Sequence, residues 1–279
     1  MTNVLRSALF SLLLLSGTAH ADTRVVALGG PITEIIYALG AGDQLVGADA
    51  SSIYPPAANT LPKVGYYRSF SIEGVASLKP DLVLASDQAG PPNALAQLQK
   101  LGSKVVVLPS EPDMPALEKR IAGVANALGM PERGQEAILK IRGELARLPA
   151  TGQHVRVLLV SSHTGKLQGA GDDTAGAAML KLVGATNVLA SQKGYKPFSA
   201  EAAAALRPDV IVTTTLSVGA SGSLDAFLAQ PGLSVTPAAK ARRVIVMDDL
   251  LLLGFGPRLP EALRQLQAGI AGKTVAEGK

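Results

Sequence analysis

The sequence contains no cysteine. That excludes disulfides, thiolate nucleophiles, Cys-ligated zinc, iron–sulfur clusters and a lipid anchor attached to an N-terminal cysteine. It has no tryptophan and only three histidines, which leaves little material for a metal centre built from converging imidazoles. Charged residues make up 17% of the chain against a usual share of about 25%. Hydrophobic residues make up 47%, which excludes a disordered polymer. The net charge of +4 is spread without a dense Lys/Arg run, so nothing in it points to nucleic acid. Enzyme signatures are scarce as well. There is no G-x-S-x-G elbow and no H-E-x-x-H pair, and Gly169-Ala170-Gly171 lacks the third glycine of a dinucleotide loop.

The first 21 residues read as an export signal. Arg6 precedes an apolar run, Ala8 to Leu15, and Ala19-His20-Ala21 supplies a small-residue cleavage site. The run is too short to span a bilayer, so the expectation is a chain released into the periplasm from about Asp22. The remainder of the chain alternates Val/Leu/Ile-rich runs with helical segments. Val25–Gly29, Gln44–Asp49, Asp81–Ser86 and Lys104–Pro109 form one set of expected strands. Val155–Ser162, Asn187–Ala190, Asp209–Thr215 and Val244–Asp248 form a second. Runs without strict polar alternation suit strands covered on both faces, hence mainly parallel sheets. The expected fold is α/β: two Rossmann-like lobes, residues 22–130 and 149–279, with a ligand cleft between them. A helix over 131–148 either joins the lobes or crosses over within one sheet. Ile138, Ile141, Leu145 and Leu148 put an apolar stripe on one face of it, and Pro149 stops it.

An internal echo favours two lobes. Ser71 to Leu84 and Ser199 to Val212 match at Ser, Glu, Leu, a cation, Pro and Asp, 128 residues apart. Extending backwards, Tyr67 meets Tyr195, Arg68 meets Lys196 and Phe70 meets Phe198. Each copy reads as a Ser-capped helix, then a Pro-Asp turn into a buried strand.

Three of the nine aromatics outside the export signal fall within Tyr66-Tyr67-Arg68-Ser69-Phe70. This loop lies at an expected strand end, where ligands of open α/β sheets bind. Aromatics beside an arginine suit a flat, apolar ligand that carries charge; alternatively, Tyr66 and Phe70 are packing plugs. The segment Gly65-Tyr66-Tyr67-Arg68-Ser69-Phe70-Ser71-Ile72-Glu73-Gly74 resembles the G-Y-x-R-x-[LF]-S-x-E-G stretch of periplasmic haem-binding proteins. These are the soluble components of bacterial ABC haem importers. Gly184-Ala185-Thr186-Asn187-Val188, Gly194-Tyr195-Lys196 and Gly254-Phe255-Gly256-Pro257-Arg258 extend the resemblance from about Val25 to Leu266.

The resemblance implies that haem b is the transported ligand. Tyr66 would be the axial ligand to ferric iron, and Arg68 would hydrogen-bond its phenolate. Phenolate is a hard anionic oxygen suited to Fe(III). A guanidinium about 4 Å from it contributes about 4 kcal/mol at an effective dielectric of 20, before desolvation. Tyr67 occupies the variable position and on an extended loop would point away from Tyr66, yet the echo pairs it with Tyr195, so a direct contact of Tyr67 with haem stays open. Tyr195, Phe255 and His163 would also meet haem; His163 follows the first strand of the second lobe, so it faces either the cleft or solvent. Arg258 would meet a propionate or support its turn. Glu73 and Glu201, at matching places in the repeat, would dock onto an inner-membrane permease that works with its ATPase. An outer-membrane haem receptor upstream is a further implied partner. The alternatives are a binding protein of the same class for a ferric siderophore or cobalamin, and an exported enzyme.

Overall fold

A computed structural model describes residues 23–149, 155–162, 166–197 and 205–272. Its first half holds β1 (Val25–Leu28), α1 (Gly30–Ala38), β2 (Leu45–Ala48), α2 (Ile72–Ser77), β3 (Leu82–Ser86), α3 (Ala94–Lys100), β4 (Lys104–Leu108) and α4 (Met114–Ala127). The four strands form a wholly parallel sheet in the order β2-β1-β3-β4, with Val25 opposite Leu82 and Leu82 opposite Lys104. α5 (Pro131–Ala146) comes next and ends just before Pro149.

The second half holds β5 (Arg156–Ser161), β6 (Gln168–Ala170), α6 (Ala175–Leu182), β7 (Thr186–Asn187), β8 (Tyr195–Pro197) and β9 (Val210–Thr214). Three short helices, α7 (Thr215–Ala220), α8 (Leu224–Leu228) and α9 (Pro237–Lys240), lead to β10 (Val244–Met247), α10 (Asp249–Leu253) and α11 (Leu259–Ile270). The second sheet runs β10-β9-β5-β6-β8, with β7 paired to β5. β10, β9, β5 and β7 are parallel, whereas β6 pairs antiparallel with both β5 and β8. The antiparallel flap of β6 and β8 has no counterpart among the strands expected from sequence. Its segments are three residues long and carry Gly, Lys and Pro, so no hydrophobic run marks them. The expected strand over 187–190 shrinks to the two residues of β7.

Burial explains the hydrophobic runs. In β1, Val25 and Ala27 join a central core while Val26 and Leu28 join a second cluster on the other face, with Phe70 and Val75. The sheet is therefore covered on both sides, as a parallel sheet requires. The central core is continuous through α5: Ile138 and Ile141 pack in one cluster with Val25 and Leu84 of the first sheet and Val157 and Val212 of the second. Leu145 and Leu148 border it. The stripe on α5 thus serves both sheets, and the helix joins two lobes rather than crossing over within one. Among the described residues, no helix is long and apolar enough to cross a membrane.

The sequence echo is also a structural one. Asp81 Oδ2 accepts the Arg24 amide at 2.9 Å, and Asp209 Oδ2 accepts the Arg156 amide at 2.9 Å. Arg24 Nη2 donates to the Leu78 carbonyl at 2.7 Å, and Arg156 Nη2 donates to the Leu206 carbonyl at 2.8 Å. Lys79 and Arg207, each before the proline, both sit in the left-handed region at φ 48° and 41°. Two lobes that share a backbone conformation and its side-chain fastening, residue for residue, carry the mark of duplication.

Candidate ligand-binding site

Parallel strands collect their outgoing loops at one edge, and the aromatic loop lies there. Gly65, at φ +96°, turns the chain out of the segment that leaves β2. The Ala50 amide donates to the Gly65 carbonyl at 2.8 Å, and the Ser71 amide to the Val64 carbonyl at 2.8 Å, closing the loop at its base. Phe70 plugs the hydrophobic cluster beneath it at 3% exposure, and Ser71 caps α2 through the Gly74 amide at 2.9 Å. Tyr66 is left at the surface, 43% exposed. Of the two residues that sequence allowed as plugs, only Phe70 is one.

Arg68 Nη1 donates to the Tyr66 hydroxyl at 3.3 Å. Its Nη2 donates to Gln88 Oε1, from the loop after β3, and Gln88 Nε2 donates to Ser110 Oγ, after β4, at 2.8 Å. Tyr67 does not point away from Tyr66, contrary to the extended-loop expectation. Residues 67–69 form one 3₁₀ turn, which brings the two rings to 4.7 Å with a 58° tilt. Arg68 also lies 5.0 Å over the Tyr67 ring. Burial, then the neighbouring Tyr66, push the Tyr67 phenol well above the usual tyrosine range, against the pull of Arg68. Tyr67 is therefore the poorer source of a phenolate.

The loop rests on Asp49, which sequence reasoning passes over. Asp49 is fully buried at the end of β2. Its Oδ1 accepts the Gly29 amide at 2.9 Å and the Ser52 hydroxyl at 2.8 Å. Its Oδ2 accepts the Ser51 amide at 2.9 Å, the Ser51 hydroxyl at 2.7 Å and the Tyr67 amide at 3.2 Å. One carboxylate thus ties the end of β1, the turn after β2 and the aromatic loop together. The available signal was Asp49-Ala50-Ser51-Ser52 directly after a hydrophobic run, an Asx-type turn. Gln88 was equally silent in sequence.

Tyr195 stands on β8, opposite Ala170 of β6. Burial raises its phenol, opposed by the Gly176 amide at the start of α6, the Thr174 hydroxyl and the charge of Arg68. Tyr195 thus lies within electrostatic reach of Arg68 on the other lobe. One expected contact is corrected and one open choice is narrowed. Phe255 is a core residue at 2% exposure; its ring is packed away and its carbonyl accepts Arg120 Nη1 at 3.0 Å. Arg258 is committed elsewhere: it donates to Glu34 through Nε at 2.8 Å and through Nη2, and stacks 3.6 Å over the Tyr54 ring. It fastens α1 to the turn before α11, the supporting role that was one of its two expected ones. Glu73 is exposed in the first turn of α2. His163 and Glu201 lie outside the described residues. Among the described residues no group of three or more His, Asp or Glu side chains could hold a metal ion directly.

Burial raises Glu34 to about 7, against the attraction of Arg258. An unfolded glutamate titrates near 4.3. The folded chain therefore holds a proton that the unfolded chain releases, and this contribution to stability is lost as pH rises through about 7. Glu34→Gln removes that slope. In denaturant unfolding at pH 5 and pH 8 the variant should gain about 2–3 kcal/mol on the parent between the two pH values. Parallel pH profiles would show that Glu34 stays ionised throughout.

Residues 25–251 match the family model described as Periplasmic binding protein. The chain is 31% identical to the uncharacterized ABC transporter substrate-binding lipoprotein YvrC of Bacillus subtilis (strain 168), over 91% of this chain and 82% of that one. It is 29% identical to the vitamin B12-binding protein of Pectobacterium carotovorum (strain PC1), over 91% of each. Among solved structures, the apo form of the periplasmic heme-binding protein RhuT of Roseiflexus sp. RS-1 superposes with a TM-score of 0.84 at 38% identity, over 90% of this chain and 98% of that one. The periplasmic heme-binding protein BhuT in complex with two hemes superposes with a TM-score of 0.82 at 42% identity, over 89% and 98%. With two duplicated α/β lobes, an interlobe helix and a loop site at the carboxyl edge of a parallel sheet, this chain belongs to the periplasmic binding protein family.

Proposed function

We propose that this protein captures ferric haem in the periplasm and hands it to an ABC permease in the inner membrane. One observation carries the reading: an exposed tyrosine whose hydroxyl accepts a hydrogen bond from an arginine two residues on. To ligate iron as an anion near pH 7, a phenol that titrates near 10 must give up its proton at a cost of about 4 kcal/mol. Iron supplies most of the compensation, and Arg68 stands where the negative charge forms. Tyr66 is the proposed axial ligand. Tyr67 packs beside it as a neutral ring, and the outward ring of Tyr195 adds apolar surface from the second lobe. The likeness to solved heme-binding proteins at 37–42% identity agrees with this reading. Glu73, exposed on α2, and Glu201 are the proposed permease contacts. A carrier of this kind turns nothing over.

The vitamin B12-binding relative keeps cobalamin as the second reading. Titration with haemin decides between them. Haem capture produces a Soret band and ferric tyrosinate charge-transfer bands that saturate, with no comparable change on adding cobalamin. Glu73→Ala should leave that titration unchanged while slowing uptake through the cognate permease. Saturable binding of cobalamin, with haemin bound only weakly and non-specifically, would overturn the haem reading.

A further inference from the structure

We propose that Gln88 is the residue that aims the Arg68 guanidinium at the Tyr66 oxygen, and that its neutral amide leaves the whole of that positive charge to the phenolate. The inference rests on the haem reading above.

A guanidinium is a flat, rigid fork of donors, so holding one nitrogen fixes the direction of the other. Here Nη2 is held by Gln88 Oε1 and Nη1 faces the Tyr66 hydroxyl. Gln88 is itself held from two sides. Its side-chain Nε2 donates to Ser110 Oγ at 2.8 Å and its backbone N–H donates to Ser86 Oγ at 3.2 Å. The two loops are also interlocked through their backbones. The Phe70 amide donates to the Gly90 carbonyl at 3.0 Å, and the Gly90 amide donates to the Tyr67 carbonyl at 2.9 Å. A Cβ on Gly90 would lie 2.8 Å from the Arg68 carbonyl, so only glycine permits this approach. The separation of Gln88 from Arg68 is therefore set by backbone rather than by two flexible side chains finding each other.

The chemistry of the amide matters as much as its place. Asp87, one residue earlier, is turned away from Arg68: its Oδ2 accepts the Ser110 amide at 3.3 Å and its Oδ1 accepts the Ser86 hydroxyl at 3.4 Å. A carboxylate at Gln88 would bind the guanidinium more tightly but would cancel its charge and bring a second anion toward the phenolate. An amide acceptor orients without neutralising. The titratable groups that face this pair are Tyr67, whose ring lies against both Tyr66 and Arg68, Asp49 beneath the loop at the Tyr67 amide and, from the other lobe, Tyr195 within electrostatic reach of Arg68.

The test is a pair of variants, Gln88→Glu and Gln88→Leu, each made in the parent and in Arg68→Ala. Both positions are exposed, so the variants should melt with the parent. For each protein, haemin affinity is measured at pH 7, together with the pH at which the ferric tyrosinate charge-transfer band grows in. In the parent background, Gln88→Glu should weaken ferric haemin about threefold to tenfold, the net size of one hydrogen bond. It should raise the midpoint pH by up to about one unit, a unit being tenfold. Gln88→Leu should shift both in the same direction by less. In Arg68→Ala, Gln88→Leu should change neither quantity, because Gln88 acts through Arg68, and Gln88→Glu should keep only the smaller part of its shift that the added anion exerts directly on the phenolate. An unmoved midpoint in Gln88→Glu, or a Gln88→Leu shift that persists in full without Arg68, overturns the proposal. A parent that shows a Tyr66-dependent band but is indifferent to Gln88 overturns this inference alone. A parent with no tyrosinate band overturns the haem reading with it.

Discussion

Tyr66→Phe should abolish the ferric tyrosinate charge-transfer bands and weaken ferric haemin binding by more than about a hundredfold. Partners that only support a metal ligand cost about 10–100-fold when removed, and the ligand itself costs more. The substitution keeps the ring and therefore its contact with Tyr67 at 4.7 Å, so the loop is preserved while the oxygen goes. Tyr67→Phe is the matching control. Its phenol is held neutral by burial and by Tyr66, so removing that oxygen should leave the bands in place. Parental bands and affinity in Tyr66→Phe would remove Tyr66 from the iron, and loss of the bands in Tyr67→Phe would exchange the two roles. The measurement is an absorption titration with haemin at constant pH.

The second large effect should come from a residue that need not touch the ligand. Asp49→Ala strands the five donors that its carboxylate now accepts: three backbone amides and two serine hydroxyls. Leaving buried donors unpaired costs about 1–3 kcal/mol each, partly relieved by entering water, so a total of about 3–5 kcal/mol is expected. At about 2–4 °C per kcal/mol for a chain of this size, melting should fall by roughly 10 °C. Haemin affinity should fall as well, because the Tyr67 amide is one of the five and it adjoins Tyr66. Asp49→Asn keeps the volume and one carbonyl acceptor but turns an NH₂ toward the remaining donors, so it should melt below the parent too. Thermal unfolding with and without haemin checks both variants. A melting point within a degree of the parent in Asp49→Ala would mean that water replaces the carboxylate and that the aromatic loop does not depend on it.

The parts of this molecule that sequence determined by itself are those built from neighbouring residues or from repetition. Hydrophobic runs such as Val25–Leu28 identify strands covered on both faces, because each alternate residue must be buried somewhere. The stripe on α5 announces a helix with one buried face that stops by Pro149, while its place between two sheets was left to the structure. The Leu-cation-Pro-Asp echo predicts two equivalent turns, and the paired Asp81 and Asp209 hydrogen bonds are the local chemistry of that motif. The hydrogen bond from Arg68 to Tyr66 was an expectation of the family resemblance alone; two positions apart on one loop, the pair needs little beyond that loop to meet.

Tertiary structure decided what depends on residues far apart in the chain. Phe255 and Tyr66 are both aromatics in glycine-bearing segments, yet one is core and the other is exposed, and only the packing of the second lobe makes the difference. Sequence left Arg258 either to meet a propionate or to support its turn, and Glu34, 224 residues away, takes its guanidinium. Gln88 and Asp49 carry no motif; their roles come from parallel strands that bring the loops after β2, β3 and β4 to one edge of the sheet. Sequence patterns record each residue's own need to be buried or to turn the chain. They do not record which distant partner satisfies a buried carboxylate or a guanidinium, because that choice is made by sheet order and by the approach of the two lobes.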